Sequence, residues 1–129
     1  MSGRIDWEGA VPVLERHVNV LAAWMFGSAM EGRLPLDADL DLGVLFTRLP
    51  SLNELADLRA DLQDALQFDD IDLITLNGAS PILRFEAVSG QRLYCRDVSL
   101  MAEFVSLTAR EYEESMAMLA QGLEQVSRG

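Results

Sequence analysis

The chain contains one cysteine, Cys95, and one histidine, His17. A single thiol cannot close an internal disulfide, and one cysteine excludes a cysteine-rich zinc site. Cys95 reads as a small buried hydrophobe rather than a reactive thiol. His17 has no Cys or His nearby and reads as a packing or surface residue, not a ligand or base. Long apolar runs are missing too. The longest, Val20 to Phe26, is far too short to cross a bilayer. No apolar segment follows a basic N-terminal start, so the expected address is cytoplasmic, with no membrane partner. Repeats, low-complexity tracts and linkers are absent, and 129 residues suit one core. The expected division is a body over residues 1–97 and a C-terminal helix over 98–129.

Positive charge is scarce. Ten basic residues face 21 acidic ones, for a formal net charge of -11. Such a chain repels phosphodiester backbones, so direct nucleic-acid binding is not expected. Divalent cations and a basic protein partner suit it better. Acidic surfaces also serve solubility alone, so the placement of particular aspartates decides more than the total.

What is present is a folded pattern, with half the residues hydrophobic. Asp6 to about Val18 has helical spacing and a capping aspartate, with Pro12 intruding on its first turns. Val20 to Phe26 is wholly apolar and stops at Gly27-Ser28, which predicts a buried strand. Gly32 and Pro35 mark a loop. Asp39 to Phe46 predicts a second strand. Ser51-Leu52-Asn53-Glu54 is a capping box opening a helix to about Gln67, with Leu55, Leu58, Leu62 and Leu66 on one face. A third strand is expected over Ile71 to Leu76. Ser80 and Pro81 start another helix, which Gly90 closes, and Arg92 to Cys95 predicts a short edge strand. From Val98 to Val126 an apolar stripe recurs at three- and four-residue steps. A helix of that length extends about 40 Å, beyond the width of so small a domain, so part of it should project and meet a partner. Strands interleaved with helices give an α/β or α+β domain with a small mixed sheet. Trp7 and Trp24 are expected as core anchors, and Tyr94 and Tyr112 as packing residues.

The chemistry concentrates in Gly27-Ser28, ten intervening residues, then Asp39-Leu40-Asp41. Residues two apart on a strand share a face, so Asp39, Asp41 and Gly43 converge while Leu40, Leu42 and Val44 turn to the core. Adjacent carboxylates repel unless a cation sits between them, and magnesium favours a few carboxylates plus phosphate oxygens. A glycine ending a strand lets a phosphate approach the backbone, where amides and the Ser28 hydroxyl can donate. Asp72, alone among apolar neighbours, would be costly to bury without a compensating charge, and a metal shared with Asp39 and Asp41 would supply one. Two Mg²⁺ would then bridge a triphosphate, with Asp72 accepting the proton of the attacking hydroxyl. Asp70 shares its parity and competes for that role.

Gly27-Ser28-(x10)-Asp39-Leu40-Asp41-Leu42-Gly43-Val44, then Ile71-Asp72-Leu73-Ile74-Thr75-Leu76 and Gly90-Gln91-Arg92-Leu93-Tyr94, resembles the minimal nucleotidyltransferases (MNT) of the DNA polymerase β superfamily. The likeness runs from about Val20 to Tyr94 and is nearest to the antitoxin half of HEPN–MNT toxin–antitoxin pairs. It implies a nucleotidyltransferase fold and a Mg²⁺-dependent transfer of AMP from ATP to a tyrosine of an HEPN ribonuclease toxin, which silences it. It also implies phosphate binding by Gly27 and Ser28 and metal binding by Asp39, Asp41 and Asp72. Members often carry basic residues just after the Gly-Ser. Here Ala29 and Glu31 stand there, which leaves Arg33 as the nearby cation for the nucleotide, and Ala38 replaces a frequent serine. The toxin's own Arg-x4-His-x-Tyr motif is missing. The alternative is a non-catalytic antitoxin that neutralises by binding and occlusion through its C-terminal helix.

Overall fold

A computed structural model describes residues 6–27 and 40–128. Helix α1 (Ala10–Arg16) leads into strand β1 (Val20–Phe26). After β2 (Leu40–Phe46) come α2 (Leu52–Leu66), β3 (Ile71–Thr75), α3 (Pro81–Val88), β4 (Gln91–Cys95) and α4 (Val98–Arg128). The four strands form one sheet in the order β3-β2-β1-β4. β1 runs antiparallel to both β2 and β4, while β2 and β3 are parallel. A parallel pair needs a crossover, and α2 supplies it. This is the mixed sheet flanked by helices that the residue pattern predicts.

Local chemistry sets the element ends. The Asp6 carboxylate accepts from the Glu8 amide and caps a short 3-10 turn, Trp7–Gly9, ahead of α1. Pro12 falls in the first turn of α1, where a missing N–H removes little. At α2 the capping box is complete: the Glu54 amide donates to Ser51 Oγ at 3.1 Å and the Ser51 amide to Glu54 Oε1 at 3.0 Å. Arg48 adds an ion pair to Glu54 at 2.9 Å. Strand β3 stops one residue earlier than expected. Leu76 opens a 3-10 turn, and Arg84 holds that turn, donating from Nε to the Leu76 carbonyl at 2.8 Å and from Nη2 to that of Asn77.

Apolar layers cover both faces of the sheet. Val13, Leu14, Ala23, Met25, Leu42, Val44, Leu58 and Leu62 form one, beneath α1 and α2. Leu21, Trp24, Phe26, Leu45, Leu76, Ala87 and Met101 form the other, beneath α3 and α4. Leu42 and Val44 thus face a core as expected, but so does Gly43 on the opposite face. A β-carbon there would meet Ala87 Cβ and Leu76 Cδ2 at 3.2 Å. Double cover is why β1 lacks polar alternation.

Helix α4 divides along its length. Met101 and Thr108 are buried, Phe104 lies 6.3 Å from Trp24 between ring centroids, and Tyr112 stacks on Phe85 at 3.9 Å. Glu111 approaches Arg84 to 3.6 Å. Farther on, Met118, Leu119 and Leu123 are 72%, 52% and 68% exposed. The expected projection of this helix is therefore seen in its second half. Trp24 is buried and Trp7 packs partly buried against the first layer. Cys95 is half-buried against the second. Among the described residues no helix is long and apolar enough to cross a membrane.

Candidate active site

The C-terminal end of β1 and the N-terminal ends of β2, β3 and β4 lie at one end of the sheet. There Phe26 pairs with Asp41 and Asp41 with Asp72. Partners in a parallel register project to the same face, so the two carboxylates emerge side by side on strands about 4.8 Å apart. That face is the α3 and α4 side, because Ile74 and Gly43, two residues farther along, pack there. Like charges directly opposite on neighbouring strands destabilise a sheet.

Gly27 completes this end. Its φ of 69° lies in the left-handed region, where a side chain costs energy that glycine does not. A β-carbon on it would stand 2.8 Å from Asp41 Oδ2 and 3.8 Å from its Cγ. The carboxylate and the bare Cα form one cradle.

These residues fit a divalent cation. Two carboxylates held parallel and adjacent repel each other until a positive charge lies between them, and oxygen ligands of that kind are what Mg²⁺ takes. Asp39, Ser28 and Arg33, the other site residues read from the sequence, lie outside the described residues. Among the described residues no group of three His, Cys, Asp or Glu side chains forms a cluster able to hold a metal. The structure brings together Gly27, Asp41 and Asp72.

One expectation needs correction. Asp72 is exposed, not buried. β3 is the sheet's outer strand and its start faces solvent, so no burial penalty demands a compensating charge. Asp70 is exposed as well and precedes β3, in a bend where Gln63 donates to the Asp69 carbonyl at 2.8 Å. It has no strand register with Asp41, whereas Asp72 has.

Gly90 does more than end α3. A β-carbon there would collide with the Met25 carbonyl at 2.2 Å and with Phe26 Cβ at 2.9 Å. Only glycine lets the chain return from α3 onto β1 beside Gly27. The Gly90-Gln91-Arg92 run carried that signal, but a helix stop explained it sufficiently in sequence terms. His17 sits at the opposite end of β1, where its Nε2 meets Asp61 Oδ2 at 2.7 Å and ties α1 to α2. That is a structural contact, as its isolation predicts.

The polymerase beta nucleotidyltransferase family model matches residues 8–99, and the chain belongs to that family. Comparison with curated proteins finds no sequence match. Among solved structures, a mutant of the toxin–antitoxin MntA–HpeT superposes with a TM-score of 0.78 at 21% identity, over 95% of this chain and 98% of that one. A toxin–antitoxin with AMP-PNP gives 0.76 at 22% identity over 95% and 98%. The complex of a tri-AMPylated Shewanella oneidensis HEPN toxin with its MNT antitoxin gives 0.66 at 22% over 90% and 91%. The shared feature is the nucleotidyltransferase fold, including the long C-terminal helix.

Proposed function

We propose that this chain is the antitoxin of a HEPN–MNT pair and that it transfers AMP from ATP to a tyrosine hydroxyl of an HEPN-type toxin. The observation that carries this reading is the in-register pair Asp41 and Asp72 beside the Gly27 cradle, in a chain of the nucleotidyltransferase family. Likeness to a toxin–antitoxin with AMP-PNP and to an MNT antitoxin in complex with a tri-AMPylated HEPN toxin supports the substrates.

Gly27 and Ser28 would receive the triphosphate on backbone amides and the serine hydroxyl, with Arg33 as a further contact. Asp39, Asp41 and Asp72 would hold Mg²⁺, which when bound offsets the charge of the triphosphate and of the departing diphosphate. Asp72, exposed at the sheet's end, would accept the proton of the incoming tyrosyl hydroxyl. The tyrosyl oxygen then bonds to the α-phosphorus, the bond from that phosphorus to the α–β bridging oxygen breaks, and diphosphate leaves. Residues 1–97 would form the catalytic body and 98–129 the partner-binding helix.

A second reading is neutralisation by binding alone, favoured by the exposed Met118, Leu119 and Leu123 on α4. The two readings separate in one experiment. Toxin, antitoxin, ATP and Mg²⁺ are incubated and the toxin is weighed by intact mass spectrometry, with peptide mapping of any adenylylated tyrosine. Added AMP mass from the wild-type chain, abolished in the Asp39→Asn/Asp41→Asn double variant, supports the enzyme. A double variant that still protects cells as well as the wild type would leave occlusion as the mechanism.

A further inference from the structure

The chain has no lysine, and all ten of its basic residues are arginines. Most described arginines are committed to structure. Arg16 pairs with Asp61 and Arg48 with Glu54. Arg59 donates to the Ile71 carbonyl, Arg84 to those of Leu76 and Asn77, and Arg96 to those of Val20, Glu15 and His17. Arg92 is different. It is exposed on β4 and makes no ion pair or hydrogen bond among the described residues.

Its register places it at the site. Arg92 pairs with Trp24, two residues before the Phe26 that pairs with Asp41. The register shifts between Ala23 and Trp24, so Leu93 and Tyr94 both pack on the first layer, while Cys95 packs on the second. Arg92 therefore shares Trp24's face, which is also that of Asp41 and Asp72. Gly90 presses the start of β4 against Met25 and Phe26, at the end of the sheet where Gly27 turns. Strand spacing puts the Arg92 and Asp41 Cα atoms on the order of 12 Å apart, a gap that an arginine side chain and a polyphosphate can close from opposite sides.

Resting on the nucleotide reading above, we propose that Arg92 is a substrate-contacting residue that binds the β- or γ-phosphate of ATP from the β4 side. The charge balance asks for such a group. The described ionised groups of the cradle are carboxylates, and Ala29 and Glu31 follow Ser28 in the sequence, which leaves Arg33 and Mg²⁺ as the other positive charges of that reading for a triphosphate. A guanidinium presents a planar fork that matches phosphate oxygens two at a time. On this side of the site it would also stabilise the charge that gathers on diphosphate as it leaves.

The test is isothermal titration of the full-length chain with ATP and, separately, with AMP, in Mg²⁺. Arg92→Ala should weaken ATP binding by roughly ten- to a hundredfold and leave AMP binding unchanged. Arg92→Lys should recover part of the loss. Arg110→Ala, on α4, serves as the control for a lost surface charge and should bind ATP like the wild type. Unchanged melting temperatures would exclude misfolding, as expected for an exposed side chain. Wild-type affinity for ATP in Arg92→Ala overturns the inference while the nucleotide reading stands. Failure of the wild-type chain to bind ATP with Mg²⁺ overturns both.

Discussion

Oδ2 of Asp41 lies 2.8 Å from the point that a β-carbon on Gly27 would occupy. Gly27 is thus required twice, by its positive φ and by the carboxylate in front of it. Gly27→Ala should cost about 1–2 kcal/mol of stability, the usual penalty for a side chain in the left-handed region. It should cost more in activity. Pushing the carboxylate aside by a fraction of its own width should reduce AMP transfer on the order of a hundredfold. Thermal denaturation and initial rates of toxin modification check the two effects separately.

Asp41 and Asp72 stand directly opposite each other across a parallel pair. Neutralising either one should abolish transfer, because a single carboxylate holds a divalent cation poorly. Added Mg²⁺ should raise the melting temperature of the wild type, because a ligand that binds only the native state stabilises it. Asp41→Asn should lose that response. Calorimetric scans with and without Mg²⁺ distinguish these outcomes, and a full Mg²⁺ response in Asp41→Asn would remove Asp41 from the metal ligands. Asp70→Asn should behave as the wild type, since Asp70 lies outside the strand register.

The hydrogen bond from Arg48, aided by the Ser51 amide, holds the Glu54 carboxyl at about 2, against an ordinary value of 4.5. A carboxyl depressed on folding contributes stability above its unfolded value and loses that contribution as pH falls toward the folded one. The wild-type advantage over Glu54→Gln should therefore be constant above about pH 4.5 and shrink between there and pH 2. Urea unfolding of both proteins across that range gives the comparison. A difference that does not change with pH would remove Glu54 ionisation as the cause.

Leu119 and Leu123 are more than half exposed on the projecting part of α4. Leu119→Ser combined with Leu123→Ser should change stability by less than about 0.5 kcal/mol, since neither side chain is in a core. If this stripe binds the toxin, the same variant should lose complex formation in size-exclusion chromatography or titration. Unimpaired complex formation would move the interface elsewhere.

Much of the fold was legible because each element has its own local cause. The apolar run Val20–Phe26, the reciprocal Ser51/Glu54 cap and the Ser80-Pro81 start act over a few residues, so neighbours along the chain suffice to read them. Strand β4 was legible only as a short edge piece. The start of that strand depends on Gly90 clearing the Met25 carbonyl, a contact between residues 65 positions apart. Leu76 was read as strand because it is apolar, but Arg84 takes its carbonyl and bends the chain there.

By itself, the sequence determined which residues could do the chemistry: a glycine-serine turn and aspartates at fixed spacing, on strands whose periodicity assigns each side chain to a face. Only the tertiary structure decided which of them meet. The parallel register that seats Asp72 beside Asp41, the exposure of Asp72 and the position of Arg92 on the opposite edge strand follow from strand order and pairing. Those are set by helices packing on both faces, through contacts between segments far apart in the chain, and no local pattern encodes them.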